Sequence, residues 1–479
     1  MSTVPAPKPT ARRDHPIAGP PRGLLTAGTV AAVIVAVYWM TDMRALRGGE
    51  GLVWRRLVDF GVYRGGGAAY AEGLPIYSMG FETQDIVLPF TYPPLAAALF
   101  APLRLLPVGL GGALLNLASA VVLWAVIALF LRSATPLSDV ASRRWALVAA
   151  PVCAFLEPAS QTFDFGQINI LLMGLVAYDA LGPGRVPRGM LAGLAAAVKL
   201  TPAVFGLYFL LRRDWAAAAR MVATAVALTL LSALPNFAVW REYWFSALGS
   251  PERIGGLAYS TNQSATGAIV RLTGDQQTGV WLVAVAATIA AVTVSGILLA
   301  RRSRNAGASA AASPATAAVP GAGIAADADP GAANAGAGAA DVGADGDAAA
   351  ERAVPGGAAP GTLVLVSLVA LVCSPVSWSH HWVWLIPAAL VTALSGTTAG
   401  RVWAGLAVLA MAVQPHTWLP RGNNVEMTWS IWQHLAGSSY LLLAVALIVL
   451  ALLSPRVLLR PGASRGEQAA DAARSASTA

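Results

Sequence analysis

The feature that most constrains this chain is a series of long apolar runs that recurs from near its start almost to its end. A helix needs about 20 apolar residues to cross a bilayer, and several runs approach or reach that length. The clearest runs lie at residues 24–40, 111–131, 216–239, 280–300 and 440–453. This pattern predicts an all-α polytopic integral membrane protein with about 11–13 membrane segments, some of them short or re-entrant.

The composition agrees with a membrane location and excludes several other classes. Of the 479 residues, 56% are hydrophobic and only 12% are charged, whereas soluble domains carry about 25% charged residues. The net charge of +8 does not predict nucleic-acid binding, because the basic residues stand singly or in pairs at segment ends. The two cysteines, Cys153 and Cys373, form neither a disulfide framework nor a metal motif, and we expect no metal and no cofactor.

The positions of the arginines predict the orientation in the membrane. Arg12, Arg13 and Arg22 precede the first run, so we expect a cytoplasmic N-terminus and a first segment that is retained as a signal anchor. An extracytoplasmic loop at 41–92 follows. Later arginines mark the cytoplasmic turns. We therefore expect both termini on the cytoplasmic side of the cell membrane and the active site on the extracytoplasmic side.

Composition divides the chain into five parts. We expect a disordered cytoplasmic N-terminus at 1–22 and a first membrane part at 23–304. An Ala/Gly-rich stretch at 305–360 contains almost no large apolar residues and reads as a disordered cytoplasmic linker. A second membrane part at 361–459 and a disordered cytoplasmic tail at 460–479 complete the chain.

The polar residues of the membrane parts collect on the predicted outer face. Asp59 lies in the first loop and is a candidate general base, or else the cap of a short surface helix. Lys199 interrupts an apolar region, where it could contact a lipid-linked phosphate or snorkel to the surface. His380 and His381 either serve catalysis or belong to an aromatic belt.

Other outer-face residues suit hydrogen bonding to a sugar. The candidate substrate-binding residues are Tyr63, Arg64, Glu157, Asp164, Gln167, Asn169 and Asn262, beside Lys199. The alternatives are helix capping for Asp164, an interhelical hydrogen bond for Asn169 and loop structure for Asn262. The glycines Gly65, Gly66, Gly67 and Gly73 predict a flexible turn.

An ordered set of motifs resembles glycosyltransferase family 87, the polyprenol-phosphate-mannose-dependent α-(1→2)-mannosyltransferases of the GT-C class. The motifs are VDFGVYRGGGAAYAEGLPIY, PFTYPPLAAALFAPL, FGQINILLMGL, AAAVKLTPAVFGLYFLLRRDW, STNQS and SPVSWSHHWVWL. They cover roughly residues 55–300 and 361–395, and the stretch at 305–360 stands outside the pattern.

The resemblance implies a GT-C-type fold, a polyprenol-phosphate sugar donor and an inverting transfer to a glycolipid or glycan acceptor. It implies that Asp59 is the base, that one of His380 and His381 partners it, and that Lys199 lies near the donor phosphate. Two alternatives remain open from the sequence: a polyprenol-phosphate-arabinose-dependent arabinofuranosyltransferase, and a polytopic transporter or lipid flippase.

Overall fold

The computed structural model describes residues 18–43, 53–55, 57–250, 253, 255–311 and 359–460. The predicted disordered N-terminus, linker and tail lie largely outside these residues. At the linker's edges, however, one helix continues to Ala311 and the next begins at Ala359.

The described residues form eighteen α-helices, one small hairpin and several 3₁₀ turns. The α-helices are α1 Arg22–Met40, α2 Val58–Ala71, α3 Pro94–Phe100, α4 Val108–Ala134, α5 Asp139–Cys153, α6 Glu157–Phe165, α7 Asn169–Leu181, α8 Met190–Val198, α9 Gly206–Leu211, α10 Trp215–Leu231, α11 Phe237–Phe245, α12 Ala265–Thr273, α13 Thr278–Ala311, α14 Ala359–Cys373, α15 Leu385–Leu394, α16 Thr398–Val413, α17 Ile431–Gly437 and α18 Ser439–Leu453. The 3₁₀ turns are Ala101–Leu105, Thr201–Phe205, Ala247–Gly249, Ser379–Trp384, Pro415–Thr417, Val425–Thr428 and Pro455–Leu458. The helical, membrane-protein character predicted from the sequence is therefore confirmed.

Three described helices are long and apolar enough to cross a bilayer, namely α1, α4 and α13 up to Asn305. The bent pair α17 and α18, which meet at 74°, is a candidate for a fourth span. Five shorter apolar segments add to these, at Pro94–Leu105, Asn169–Leu181, Thr201–Leu211, Trp215–Leu231 and Ala359–Cys373. The predicted total of 11–13 segments thus stays a prediction, while short and broken segments are present as expected.

Helix α14 forms the centre of the molecule. All of its residues are buried except Ala370 and Cys373, and it packs against α13, α7 and α18. By contrast, only Gly28 and Trp39 of α1 are buried. A helix that is apolar on all sides suits either a protein core or lipid. Helix α14 lies in the protein core, whereas α1 exposes the apolar surface of a lipid-facing helix.

One predicted span is interrupted. The run at 216–239 is not a single helix, because α10 ends at Leu231 and α11 begins only at Phe237. Pro235 cannot donate the backbone hydrogen bond that a continuing helix needs, and the Asn236 side chain caps α11 by accepting from the Val239 amide at 3.1 Å. The segment after this break can therefore follow a different direction from α10.

The first loop contains more structure than the sequence indicated. Strands β1 (Gly80–Thr83) and β2 (Ile86–Pro89) pair antiparallel, with Phe81 opposite Leu88. Gln84 and Asp85 connect them with φ values of 49° and 66°, as a two-residue hairpin turn requires. This hairpin packs against α2 and so braces the helix that carries Asp59.

The glycine run predicted as a flexible turn lies instead inside helix α2. A Cβ atom at Gly67 would lie 2.5 Å from the backbone carbon of Phe100, and one at Gly66 would lie 2.3 Å from the Phe90 ring. Of the four glycines that were predicted to form the turn, only Gly73, with φ +76°, has a turn conformation. The glycines are thus needed for close packing of α2, and the prediction of a flexible turn at 65–67 was wrong.

Candidate active site

Asp59 lies in the first turn of α2 and joins a hydrogen-bonded cluster with Gln167. Gly166, at φ +68°, ends α6 in a left-handed conformation and turns the chain so that Gln167 faces α2. The Gln167 Nε2 atom donates to Asp59 Oδ2 at 2.6 Å. Two chain segments more than 100 residues apart are thereby fixed to each other at this carboxylate.

Two tyrosines hold the other end of the Gln167 amide. The hydroxyls of Tyr63 and Tyr92 donate to Gln167 Oε1 at 2.7 and 3.0 Å, and the two hydroxyls are 2.9 Å apart. Since the Gln167 amide oxygen accepts from the tyrosines, the NH₂ group of the same amide must face Asp59. The amide is therefore oriented to stabilise an ionised carboxylate.

The surroundings of Asp59 tune its acidity. Burial raises the pKa of the Asp59 carboxyl to about 6, although the hydrogen bond from Gln167 and the charge of Lys199 act in the opposite direction. A carboxylate with a raised pKa is a stronger base than an exposed one and is still ionised near pH 7. The side chain is only partly covered, so a ligand can approach it.

Lys199 lies directly after α8, where the chain becomes extended before the 3₁₀ turn Thr201–Phe205. Its Nζ atom donates to Asn169 Oδ1 at 2.9 Å and lies 3.4 Å from His381 Nε2. It also lies 3.5 Å from the Tyr92 hydroxyl and 5.2 Å from the centre of that ring. Tyr92 therefore connects the lysine to the Asp59–Gln167 pair.

Within the part of the chain that the structure describes, no carboxylate lies within ion-pair distance of the Lys199 ammonium group. The ion pairs found among the described residues join Arg55 to Asp164, Arg132 to Asp139 and His416 to Glu157, and none includes Lys199. A partly buried cation that contacts only neutral groups favours an anionic ligand, because such a ligand would supply the missing charge. The lysine is thus a candidate for holding a phosphate.

The adjacent histidines have different surroundings. His381 faces Lys199 through its ring, as described above. The His380 carbonyl accepts from Thr162 Oγ1 and Asn169 Nδ2, each at 3.2 Å, while its ring packs edge-on against Phe165 at 5.3 Å. The geometry favours His381 as the histidine that touches a ligand, with His380 fixing the turn.

A small cavity of 50 Å³ adjoins Lys199. Its polar end is formed by Asn169, Lys199 and His381, and its remaining wall is mainly apolar. The apolar lining includes Leu172, Met173, Val176, Phe205, Leu371 and Trp384. An apolar wall that leads away from a cation suits a lipid with a phosphate at its end.

The other predicted site residues lie outside this cluster. The Arg64 guanidinium donates to the carbonyls of Leu106 and Arg104 at 3.3 and 3.2 Å. Asp164 pairs with Arg55. Asn262 is fully buried and accepts from the Ser377 amide at 3.0 Å, so it ties two loops together.

Glu157 belongs to a separate buried cluster. It accepts from the Tyr440 hydroxyl at 2.7 Å, and its other oxygen lies 3.7 Å from His416 Nε2. Glu157 and His416 are fully buried, which closes them to a sugar. His416 and Tyr440 were not predicted as partners of Glu157, and Tyr92 was not predicted as a hydrogen-bonding partner of Gln167 and Lys199.

Comparisons with known proteins show the family of this chain. Residues 90–320 match the family model described as Glycosyltransferase family 87. A polyprenol-phosphate-mannose-dependent alpha-(1-2)-phosphatidylinositol mannoside mannosyltransferase from Mycolicibacterium smegmatis (strain ATCC 700084 / mc(2)155) is 36% identical over 90% of this chain and 91% of its own length. The chain belongs to glycosyltransferase family 87.

Two further relatives are also similar to this chain. A protein of the same description from Mycobacterium tuberculosis (strain ATCC 25618 / H37Rv) is 35% identical over 82% of this chain and 84% of its own. A phosphatidylinositol pentamannoside mannosyltransferase from Mycolicibacterium smegmatis is 35% identical over 69% of this chain and 68% of its own. The chain is therefore a membrane glycosyltransferase, and the transporter alternative is not supported.

Among solved structures, ArnT from Cupriavidus metallidurans bound to undecaprenyl phosphate covers 92% of this chain with 78% of its own. The TM-score is 0.36 and the identity 13%, which is too low for a residue-level comparison. The GT-C-type fold accordingly follows from membership of family 87.

Proposed function

We propose that this enzyme transfers mannose from polyprenol-phosphate-mannose to a phosphatidylinositol mannoside, forming an α-(1→2) link on the extracytoplasmic face of the membrane. The donor and acceptor are those named in the descriptions of the relatives. The observation that supports the proposal most is that one hydrogen-bonded bridge, Gln167 with Tyr92, joins the Asp59 carboxylate to the Lys199 ammonium.

The two ends of this bridge suit the two halves of an inverting transfer. Asp59 takes the proton from the acceptor hydroxyl while that oxygen attacks the anomeric carbon of the donor mannose. The bond from this carbon to the phosphate oxygen breaks, and the lipid phosphate leaves with the bonding electrons. Lys199 stabilises the charge that develops on the phosphate, and one displacement converts a β-linked donor into an α-mannoside.

The sidedness of the site belongs to the same proposal. Arg132 lies in the last turn of α4, and Arg212 and Arg213 directly follow α9. These arginines favour a cytoplasmic position for those two helix ends. The first loop, Gln167, Lys199 and the histidines then lie at the other surface. A donor that carries its sugar on a membrane lipid can present it there without a soluble nucleotide.

The decisive experiment compares wild type with Asp59→Asn in membranes supplied with labelled polyprenol-phosphate-mannose. We expect the turnover rate to fall by a factor of about 10²–10⁴, the usual contribution of a general base, with donor KM little changed. Asp275→Asn is the matched control, because Asp275 is an exposed carboxylate in the turn before α13. Equal loss in both variants, or none in Asp59→Asn, would remove Asp59 as the base.

The arabinofuranose alternative is tested by comparing the sugar donors that the enzyme accepts. Wild type should transfer sugar from polyprenol-phosphate-mannose and not from the corresponding arabinose donor. The reverse preference would keep family 87 and the site but replace the donor sugar in the proposal.

A further inference from the structure

A second cavity lies away from the Asp59 cluster. It has a volume of 670 Å³ and lies between the end of α2 and the amphipathic helix α11. Its walls include Gly73, Asn236, Arg241, Glu242 and Phe245. This volume falls within the range of about 300–1,000 Å³ that is usual for ligand sites.

Helix α11, which lines the cavity, also contacts residues next to the active site. Tyr77, in the first loop, packs against Tyr243 of α11 in a tilted ring contact with 5.2 Å between ring centres, and it donates through its hydroxyl to the Tyr92 carbonyl at 2.7 Å. Tyr92 is the residue that bridges Gln167 and Lys199. Helix α11 is thus linked to the Asp59 cluster through Tyr77 and, by the proposed topology, the cavity and the cluster lie on one face of the membrane.

Helix α11 has the character of a helix that lies at a bilayer surface. Phe237 and Phe245 are 62% and 79% exposed, and Trp240 stacks on Phe237 at 5.8 Å between ring centres. Leu234, just before the helix, is 79% exposed. Aromatic residues concentrate where hydrocarbon meets headgroups, so acyl chains can reach the rim of the cavity.

The cavity carries two complementary charged groups. Arg241 is exposed and has no ion-pair partner among the residues that the structure describes. Glu242 lies next to it in the same wall. A guanidinium suits a phosphodiester, and a carboxylate accepts hydrogen bonds from hydroxyls, so the pair matches a phosphate that is attached to a polyol.

Resting on the proposed function, we propose that this cavity holds the phosphodiester and polyol of the acceptor glycolipid, with the acyl chains beside α11. Helix α2 has 14 residues and spans about 20 Å at 1.5 Å per residue. Asp59 is at its start and the cavity at its end. The acceptor's glycan must therefore bridge about 20 Å between the cavity and Asp59, and the site selects acceptors that already carry several sugars.

The test compares two acceptors with the same donor: a phosphatidylinositol mannoside that carries several mannoses, and a water-soluble α-mannoside without phosphate or lipid. For Arg241→Gln we expect KM for the glycolipid to rise about tenfold, the loss of one charge-assisted contact. KM for the soluble acceptor and for the donor should stay unchanged. Arg241→Lys should recover part of the affinity, because the charge is kept.

Arg421→Gln is the matched control, since Arg421 is exposed in the loop before α17. This substitution should leave the KM values for the glycolipid, the soluble acceptor and the donor unchanged. An unchanged glycolipid KM in Arg241→Gln, equal effects on both acceptors, or an increase in donor KM would each overturn the acceptor site. Lack of transfer by wild type to either acceptor would instead overturn the proposed function, and the site with it.

Discussion

At the scale of single residues, the side chains around Asp59 determine whether it can act as a base. Desolvation favours the protonated carboxyl, whereas the Gln167 amide and the Lys199 ammonium favour the ionised one. The balance gives a pKa of about 6. The acidic limb of the pH profile for kcat/KM should accordingly lie near pH 6, with activity rising as the pH increases through that value and Asp59 loses its proton.

Replacing Gln167 tests the origin of this limb. Gln167→Met keeps most of the volume but removes the donor that stabilises the Asp59 carboxylate. The pKa should rise, so the acidic limb should move to higher pH, and activity at pH 6 should fall more than activity at pH 8. A limb that stays in place would show that another group controls it.

Lys199 offers a second residue-level prediction. Lys199→Met removes the cation that we place beside the leaving phosphate, and kcat should decrease by about 10²–10³, as for other groups that stabilise transition-state charge. Steady-state kinetics and thermal unfolding should be measured together. A fall in kcat with an unchanged unfolding temperature supports the assignment, whereas normal turnover would contradict it.

At the scale of elements, α2 can support the site only because it packs closely on its neighbours. Gly67→Ala places a Cβ against the backbone of Phe100 and Ala101, which a side-chain rotation cannot relieve. We expect lower stability and at least tenfold lower activity, because Asp59 and Tyr63 share this helix and small displacements of catalytic groups are costly.

Gly405→Ala in α16 is the control for this change. A Cβ at Gly405 meets nothing within 4 Å, so the substitution should be neutral or slightly stabilising, by up to about 1 kcal/mol of helix propensity. Unfolding temperature in detergent and mannosyl transfer check both variants. Equal behaviour of the two would contradict the role given to the α2 glycines.

At the scale of the whole molecule, buried polar contacts join the parts on either side of the Ala/Gly-rich stretch at 305–360. Tyr440 of α18 donates to Glu157 of α6, and Gln263 bonds both to the Gly437 carbonyl at 2.7 Å and to the Tyr440 amide at 3.1 Å. These contacts indicate that residues before and after that stretch form one fold and not two.

Tyr440→Phe tests this connection. The change leaves Glu157 Oε2 without its hydrogen bond in a buried position, which should cost about 1–3 kcal/mol of stability. Thermal unfolding in detergent should shift down, while KM for donor and acceptor at low temperature should not change. A selective increase in KM with unchanged stability would return Glu157 to the substrate site.

The orientation of the whole molecule is testable by thiol labelling. Ser78 is exposed in the first loop and Arg185 in the turn after α7. In intact cells, a membrane-impermeant reagent should label Ser78→Cys and not Arg185→Cys, with the partly buried Cys153 and Cys373 giving the background. The opposite labelling would invert the proposed topology.

The sequence by itself determined the helical membrane character and the family, because apolar length, arginine positions and ordered motifs are local properties that the chain carries without folding. It also singled out Asp59, Gln167, Asn169, Lys199 and the histidine pair. Only the tertiary structure decided which of them meet. Hydrogen bonds between Asp59 and Gln167, or between Lys199 and Asn169, join residues far apart in sequence.

The same distinction explains the predictions that failed or went unmade. A glycine run has the same letters in a turn and in a packed helix, and only the positions of Phe90 and Phe100 show that α2 needs glycine for contact. Glu157 resembles a sugar ligand in sequence, but folding encloses it with Tyr440 and His416. Local sequence fixes what a side chain can do, and tertiary packing fixes what it can reach.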